Sequence, residues 1–173
     1  MIRRQFTVTF LALACSLAGC GYHTAGRSSR LPENIQVLAV PMFVNQTQTY
    51  RVEQLLTRDV IREFIDRTHY RVVNDIGDAA DATLKATVLS AQTAPLTYDP
   101  QGRISSALVT VSIKVALTER GGHVLFENPN YTFREQYQVS REITSFFAEE
   151  TPALQRMSRD FARTLVSDVL EAF

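Results

Sequence analysis

From Ser106 to Thr118 the chain alternates with a period of two. Val109, Val111, Ile113, Val115 and Leu117 fall on one side, and Thr110, Ser112, Lys114, Ala116 and Thr118 on the other. Side chains of a β-strand point to opposite faces in turn, so this segment reads as a strand with one buried and one wetted face. A helix would scatter the same residues around its circumference. A sheet that is wet on one side is antiparallel in character, and its apolar side needs a second layer to cover it.

Two segments can supply that layer. Between about Tyr50 and Arg67 the apolar spacing lengthens to the helical period. Val52, Leu55, Leu56, Val60, Ile61, Phe64 and Ile65 form one stripe, with Arg51, Glu53, Arg58, Asp59, Arg62, Glu63 and Asp66 mostly off it. At the C-terminus Leu154, Met157, Phe161, Leu165, Val169 and Phe173, flanked by Ala162, Val166 and Leu170, form a wider apolar face. Thr151 suits the cap of that helix and Pro152 its first position.

The remaining elements are strands. Ile35 to Val40 is short, apolar and β-branched, and Pro41 ends it; Arg71 to Val73 is a second short run. Ala82 to about Ala91 alternates around Leu84, Ala86 and Val88. It is linked to the long strand by Asp99-Pro100-Gln101-Gly102-Arg103, a sequence rich in turn formers. Gly121-Gly122 turns the chain again into Val124–Phe126 and Tyr131–Val139, with a break expected at Asn128-Pro129-Asn130. The order is β-α-β-β-β-β-α. The fold class expected is α+β: a mostly antiparallel sheet of four or so strands, with two amphipathic helices packed on one face.

The first residues belong to no fold. Met1-Ile2-Arg3-Arg4 precedes an apolar stretch from Phe6 to about Ala18. Positive start, short apolar centre and small-residue exit describe a signal peptide, and the stretch falls short of the ~20 residues a spanning helix needs. Its end, Leu17-Ala18-Gly19-Cys20, resembles the bacterial lipobox. That resemblance implies cleavage before Cys20, a diacylglycerol on its thiol and an acyl chain on its amine. Cys15 lies inside the apolar stretch and leaves with it. Cys20 is then the one mature cysteine, and no disulfide can form. Gly21, where enteric inner-membrane lipoproteins carry Asp, implies sorting to the outer membrane. The organisation read from the sequence is a signal peptide over 1–19, a lipidated tether over 20–34 rich in Gly, Ser and Arg, and a single domain over 35–173.

Composition removes several functions. The chain carries 18 basic and 18 acidic residues, which offers no electrostatic footprint for nucleic acid. Loss of Arg3 and Arg4 with the signal peptide leaves the acids in slight excess. His23, His69 and His123 share no metal-ligand spacing. Asp75, Asp78 and Asp81 lack the glycine and terminal glutamate of a calcium loop. Glu149-Glu150 precedes a helix start, where acids favour the helix dipole. No phosphate loop, nucleophile elbow or zinc-protease motif occurs. The reading is a binding or scaffolding protein without a catalytic centre, metal or dissociable cofactor.

Cys20-Gly21-Tyr22-His23, the tether, the strand and helix, the long strands faced with Thr and Ser, and the C-terminal helix together resemble the LptE family of lipopolysaccharide-assembly lipoproteins. Ala80 to Leu89 (ADATLKATVL) is the nearest stretch besides the Cys-Gly-Tyr-His start. The resemblance implies a lipoprotein on the periplasmic side of the outer membrane. It would plug and help assemble the LptD β-barrel and contact lipopolysaccharide on its way to the outer leaflet. By location it places lipopolysaccharide contacts at Arg103, in the turn between the long strands, and at Arg141, ahead of the last helix. Asp99 beside Arg103 lowers the local positive field.

Val40-Pro41-Met42-Phe43-Val44-Asn45 followed by an amphipathic helix also resembles the opening of other periplasmic lipoproteins, which activate cell-wall synthases or form secretion-pore rings. A small-ligand carrier is a third reading, and it requires an apolar cavity between sheet and helices.

Overall fold

The structure, a computed structural model, describes residues 31–32, 34–75, 77, 79–139 and 150–173. The chain runs β1 (Val37–Ala39), β2 (Val44–Asn45), α1 (Val52–Arg67), β3 (Arg71–Val73), β4 (Ala82–Tyr98), β5 (Ile104–Glu119), β6 (Val124–Gln138) and α2 (Glu150–Glu171). The sheet has six strands in the order β3-β1-β4-β5-β6, with β2 also paired to β4.

The expected α+β class and both helices are present, but the sheet is mixed and wider than four strands. β4, β5 and β6 form an antiparallel meander. β1 lies parallel to both β3 and β4, and β2 lies parallel to β4. The reason is connectivity. A strand followed by a helix and a returning strand brings the two strands side by side and parallel, because the helix carries the chain back to the starting end. The β1–α1–β3 unit is such a crossover.

Asp81 fixes the junction between the parallel and antiparallel parts. Its Oδ2 accepts the backbone N–H groups of Gln36 at 3.0 Å and Val37 at 2.9 Å. These bonds, that from Gln36 foremost, hold its carboxyl below the usual aspartate range. Asp81 thus acts as a backbone clamp, and among the described residues no group of His, Cys, Asp and Glu is placed to hold a metal.

Both helices lie on one face. Val52, Leu56, Val60 and Phe64 of α1, and Leu154, Met157, Phe161, Leu165 and Val169 of α2, join Val109, Val111, Ile113, Val115 and Leu117 in one core. Ile65 and Phe173, placed on the stripes by spacing, are exposed. Asp59, buried beneath Ser158, accepts that hydroxyl at 2.8 Å and bonds Arg58 at 2.8 Å. The core also takes in Leu31 and Ile35, so the folded part begins inside the stretch read as tether. β6 is continuous; Asn128-Pro129-Asn130 makes a register shift between the pairs Ile113–Tyr131 and Val115–Asn128 instead of a break.

Candidate functional site

β4 leaves the core as it lengthens. Its first residues alternate between buried and exposed, whereas Gln92 to Tyr98 are exposed throughout. β1 and β2 accompany β4 only as far as Val88. Beyond that point β4, β5 and β6 continue as a three-stranded blade, which ends in the Asp99–Arg103 turn.

That turn is built around Asp99. One carboxylate oxygen accepts the N–H groups of Gln101 and Arg103, each at 2.9 Å, and the other accepts Arg103 Nε at 2.9 Å. Arg103 Nη2 lies 2.9 Å from the same oxygen. Gly102 sits at φ 75°, which its lack of a Cβ permits. The Arg103 backbone bond, ahead of its guanidinium, holds the Asp99 carboxyl below the usual range. One edge of the guanidinium is therefore fixed, while the side chain stays 63% exposed with donors to spare. Behind the turn Thr97 Oγ1 lies 2.8 Å from Ser105 Oγ and 2.7 Å from Ser106 Oγ. This hydroxyl cluster satisfies Ser106, which is buried on the otherwise wet face.

The sheet face away from the helices carries the side chains the alternation assigned to it. Cross-strand register gives rows Lys85–Ala116–Glu127, Ser90–Ser112–Thr132, Gln92–Thr110–Arg134 and Thr97–Ser106–Gln138. Lys114 pairs with Glu127 at 3.2 Å. Lys85 and Arg134 are exposed and have no ionic partner among the described residues. The face is thus hydroxyl- and amide-rich with an excess of positive charge. It suits a hydrated, anionic or sugar-bearing surface and offers no catalytic constellation. His69 and His123 are exposed and stand apart from this face.

Arg103 stands at the blade tip as the turn chemistry implies. Cys20, Arg141, His23, Asp78 and Glu149 lie outside the described residues. Arg134 and the Thr97–Ser105–Ser106 cluster were not singled out in the sequence. The alternation of Thr132, Arg134, Gln136 and Gln138 holds the signal for Arg134, but it is legible only once the shift at Asn128-Pro129-Asn130 sets the register. One cavity, of about 540 Å³, lies between β6 and the start of α2, lined by Gln136, Tyr137, Gln138, Pro152 and Arg156. It opens at the β6 edge and is not enclosed between the sheet and the helices.

The family described as LptE, lipopolysaccharide-assembly, matches residues 35–169. A search of curated proteins gives no match. Among solved structures the chain is similar to an uncharacterized lipoprotein B from Nitrosomonas europaea, with a TM-score of 0.55 at 15% identity over 84% of this chain and 88% of that one. It is similar to a lipoprotein from Caulobacter crescentus, with a TM-score of 0.54 at 14% identity over 76% of this chain and 87% of that one. It is also similar to the PelC dodecamer from Paraburkholderia phytofirmans, with a TM-score of 0.50 at 16% identity over 85% of this chain and 96% of that one. At these identities the structural likenesses speak for the fold.

Proposed function

Because the chain belongs to the LptE family of lipopolysaccharide-assembly proteins, we propose that it is a lipoprotein anchored through Cys20 to the periplasmic side of the outer membrane. There it occupies and helps assemble an LptD-type barrel and contacts lipopolysaccharide during its insertion into the outer leaflet. The observation that supports this reading, beside the family, is the sheet face turned away from the helices, which no described residues cover. Lys85, Lys114 and Arg134 stand on it among Thr, Ser and Gln side chains, and Arg103 marks its far end. The lumen of a membrane barrel is polar. A wedge whose core is gathered under two helices can sit in such a lumen on its polar face, with Leu96, Tyr98 and Ile104 exposed at the blade tip.

Lipopolysaccharide carries phosphates and sugar carboxylates, and the guanidinium fork suits both. Arg103 and Arg141 are the proposed contacts. Two or three acyl chains on Cys20, at ~0.8 kcal/mol per buried methylene, hold the protein at the leaflet. They keep its effective concentration near the barrel high.

The test is purification of the full-length lipoprotein from detergent-solubilised outer membranes, with partners identified by mass spectrometry. A large outer-membrane barrel in stoichiometric yield is expected. A cell-wall synthase, or the chain alone as a ring, would overturn the reading in favour of the other lipoprotein classes. Cys20→Ala is expected to abolish acylation and release the protein from membranes; an unchanged mass and membrane fraction would refute the anchor. Arg103→Asp is expected to weaken lipopolysaccharide binding with the fold intact, and equal binding would remove Arg103 from the site.

A further inference from the structure

Among the described residues no further strand pairs with either outer strand of the blade beyond Val88, and the two outward edges differ. Val139 N–H donates to the Ser105 carbonyl at 3.0 Å. In an antiparallel ladder the bonded pairs recur at every second residue. Tyr137, Glu135, Phe133 and Tyr131 therefore bond inward to Ala107, Val109, Val111 and Ile113. Thr132, Arg134, Gln136 and Gln138 each turn one N–H and one C=O outward, on the side of β6 where the sheet ends among the described residues.

On β5 the alternate residues Leu108, Thr110 and Ser112 then bond Ala94, Gln92 and Ser90. The outward positions on the β4 edge are Ala91, Thr93 and Pro95. Pro95 has no N–H to offer, and register shifts at Leu89 and Leu96 bend that edge. Proline and bulges are how sheets block unwanted strand pairing. The β6 edge from Tyr131 to Gln138 has neither.

We propose that the β6 edge from Thr132 to Gln138 is a strand-addition site, and that its occupant is an extended, acid-bearing segment of the barrel partner. The inference rests on the proposed function. The strands of a closed barrel have no free edge, so the segment comes from a loop or plug and not from the wall. The chemistry follows from the register. On the wet side the edge presents Thr132, Arg134, Gln136 and Gln138, with no acid among them and Arg134 unpaired among the described residues. On the helix side stand Phe133, Tyr137 and, between them, Glu135, which is already paired with Arg156 of α2. The added strand then alternates acidic or hydroxyl residues with apolar ones, since opposite charges and aromatic–aliphatic pairs stabilise cross-strand neighbours. A second copy of this chain fits less well. The self-pairing register that engages all four outward residues sets Glu135 opposite Glu135, and like charges directly opposed are destabilising.

The experiment uses the full-length lipoprotein expressed with its barrel and purified in detergent. A photo-crosslinking amino acid at position 136 is expected to capture the barrel. Gln136→Pro removes one outward N–H and no bond to β5, and is expected to lower barrel recovery about tenfold or more. Gln136→Ala keeps the N–H and is expected to bind as wild type. If the barrel co-purifies but the crosslink is absent, or Gln136→Pro binds as wild type, the edge site is overturned and the proposed function stands. A crosslink to a second copy overturns the chosen occupant. Failure of the wild type to recover any barrel overturns the proposed function itself. The crosslink is read in an otherwise wild-type chain, so the test survives if the proline variant folds poorly.

Discussion

Removal of one hydroxyl tests how α2 is fastened to the blade. Tyr131 of β6 is 7% exposed, and its hydroxyl donates to Asp168 Oδ2 of α2 at 2.6 Å. Its ring stacks on Phe133 at 6.0 Å and meets Phe161 edge-on at 5.9 Å. Tyr131→Phe keeps that packing and deletes the hydroxyl with its bond to Asp168 and its side-chain bond with Asn128. A hydrogen bond to a charged group contributes about 1.5–3 kcal/mol, and Asp168 is half-buried and can regain water, so a loss of about 1–2 kcal/mol is expected. At a urea slope of about 2 kcal/mol per molar this lowers the unfolding midpoint by roughly 0.5–1 M. Burial first, and then the Asp168 hydrogen bond and charge, push the Tyr131 ionisation above its ordinary value. A raised folded value means the stabilisation is complete below about pH 10 and is lost as pH climbs above it. Wild type is therefore expected to lose stability on the alkaline side where Tyr131→Phe loses less, and the gap between them closes. A neutral-pH difference inside the ~0.5 kcal/mol scatter of surface substitutions would refute the reasoning. So would a gap that does not move with pH. A double-mutant cycle with Asp168→Asn is expected to show coupling of at least ~0.5 kcal/mol.

Phe161→Ala empties the centre of the aromatic group, where Phe161 is fully buried and meets Phe133 at 5.5 Å. Chemical denaturation is expected to show a loss of about 3–5 kcal/mol. Ser158→Ala leaves the buried Asp59 oxygen without its hydroxyl donor and is expected to cost about 1–2 kcal/mol by the same assay. Asp81→Asn concerns acid stability. The Asp81 carboxyl is held below its ordinary value, so its contribution is present above about pH 4 and is lost as pH falls through the depressed value. The variant is expected to be less stable at neutral pH and to show a flatter acid limb in thermal melts between about pH 4 and 2.

Much of this architecture could be read from spacing, because the features that decide it are local. The alternation of Val109 to Leu117 is realised residue for residue as the core face of β5. Both helices follow their apolar stripes, and both hairpins close where Asp99–Arg103 and Gly121-Gly122 stand. What spacing cannot carry is pairing. Leu38 and Ala39 look the same whether their neighbours run parallel or antiparallel; the parallel order depends on α1 as a crossover and on Asp81 reaching two amides some 45 residues away. β2 is only two residues long, too short for any period. The end of β4 lacks an apolar alternation, and it is a strand because β5 lies beside it.

The same division explains why the candidate site lies where it does. Around the β1–β4 junction the sheet is held by burial, and its residues are dictated by packing. Past Ala91, which packs against the core, β4 is exposed, and an isolated ribbon of few strands is marginal in water. The blade tip is held instead by bonds of its own: Thr97 to Ser105 and Ser106, and Asp99 to Arg103. Leu96, Tyr98 and Ile104 remain 47%, 61% and 43% exposed nearby. Side chains there are free of the demand to fill a core, so their chemistry can answer to whatever surrounds the blade. A ribbon that keeps its backbone shape by polar bonds, with Pro95 on one edge and no proline or bulge from Tyr131 to Gln138 on the other, has the form the proposed strand addition requires.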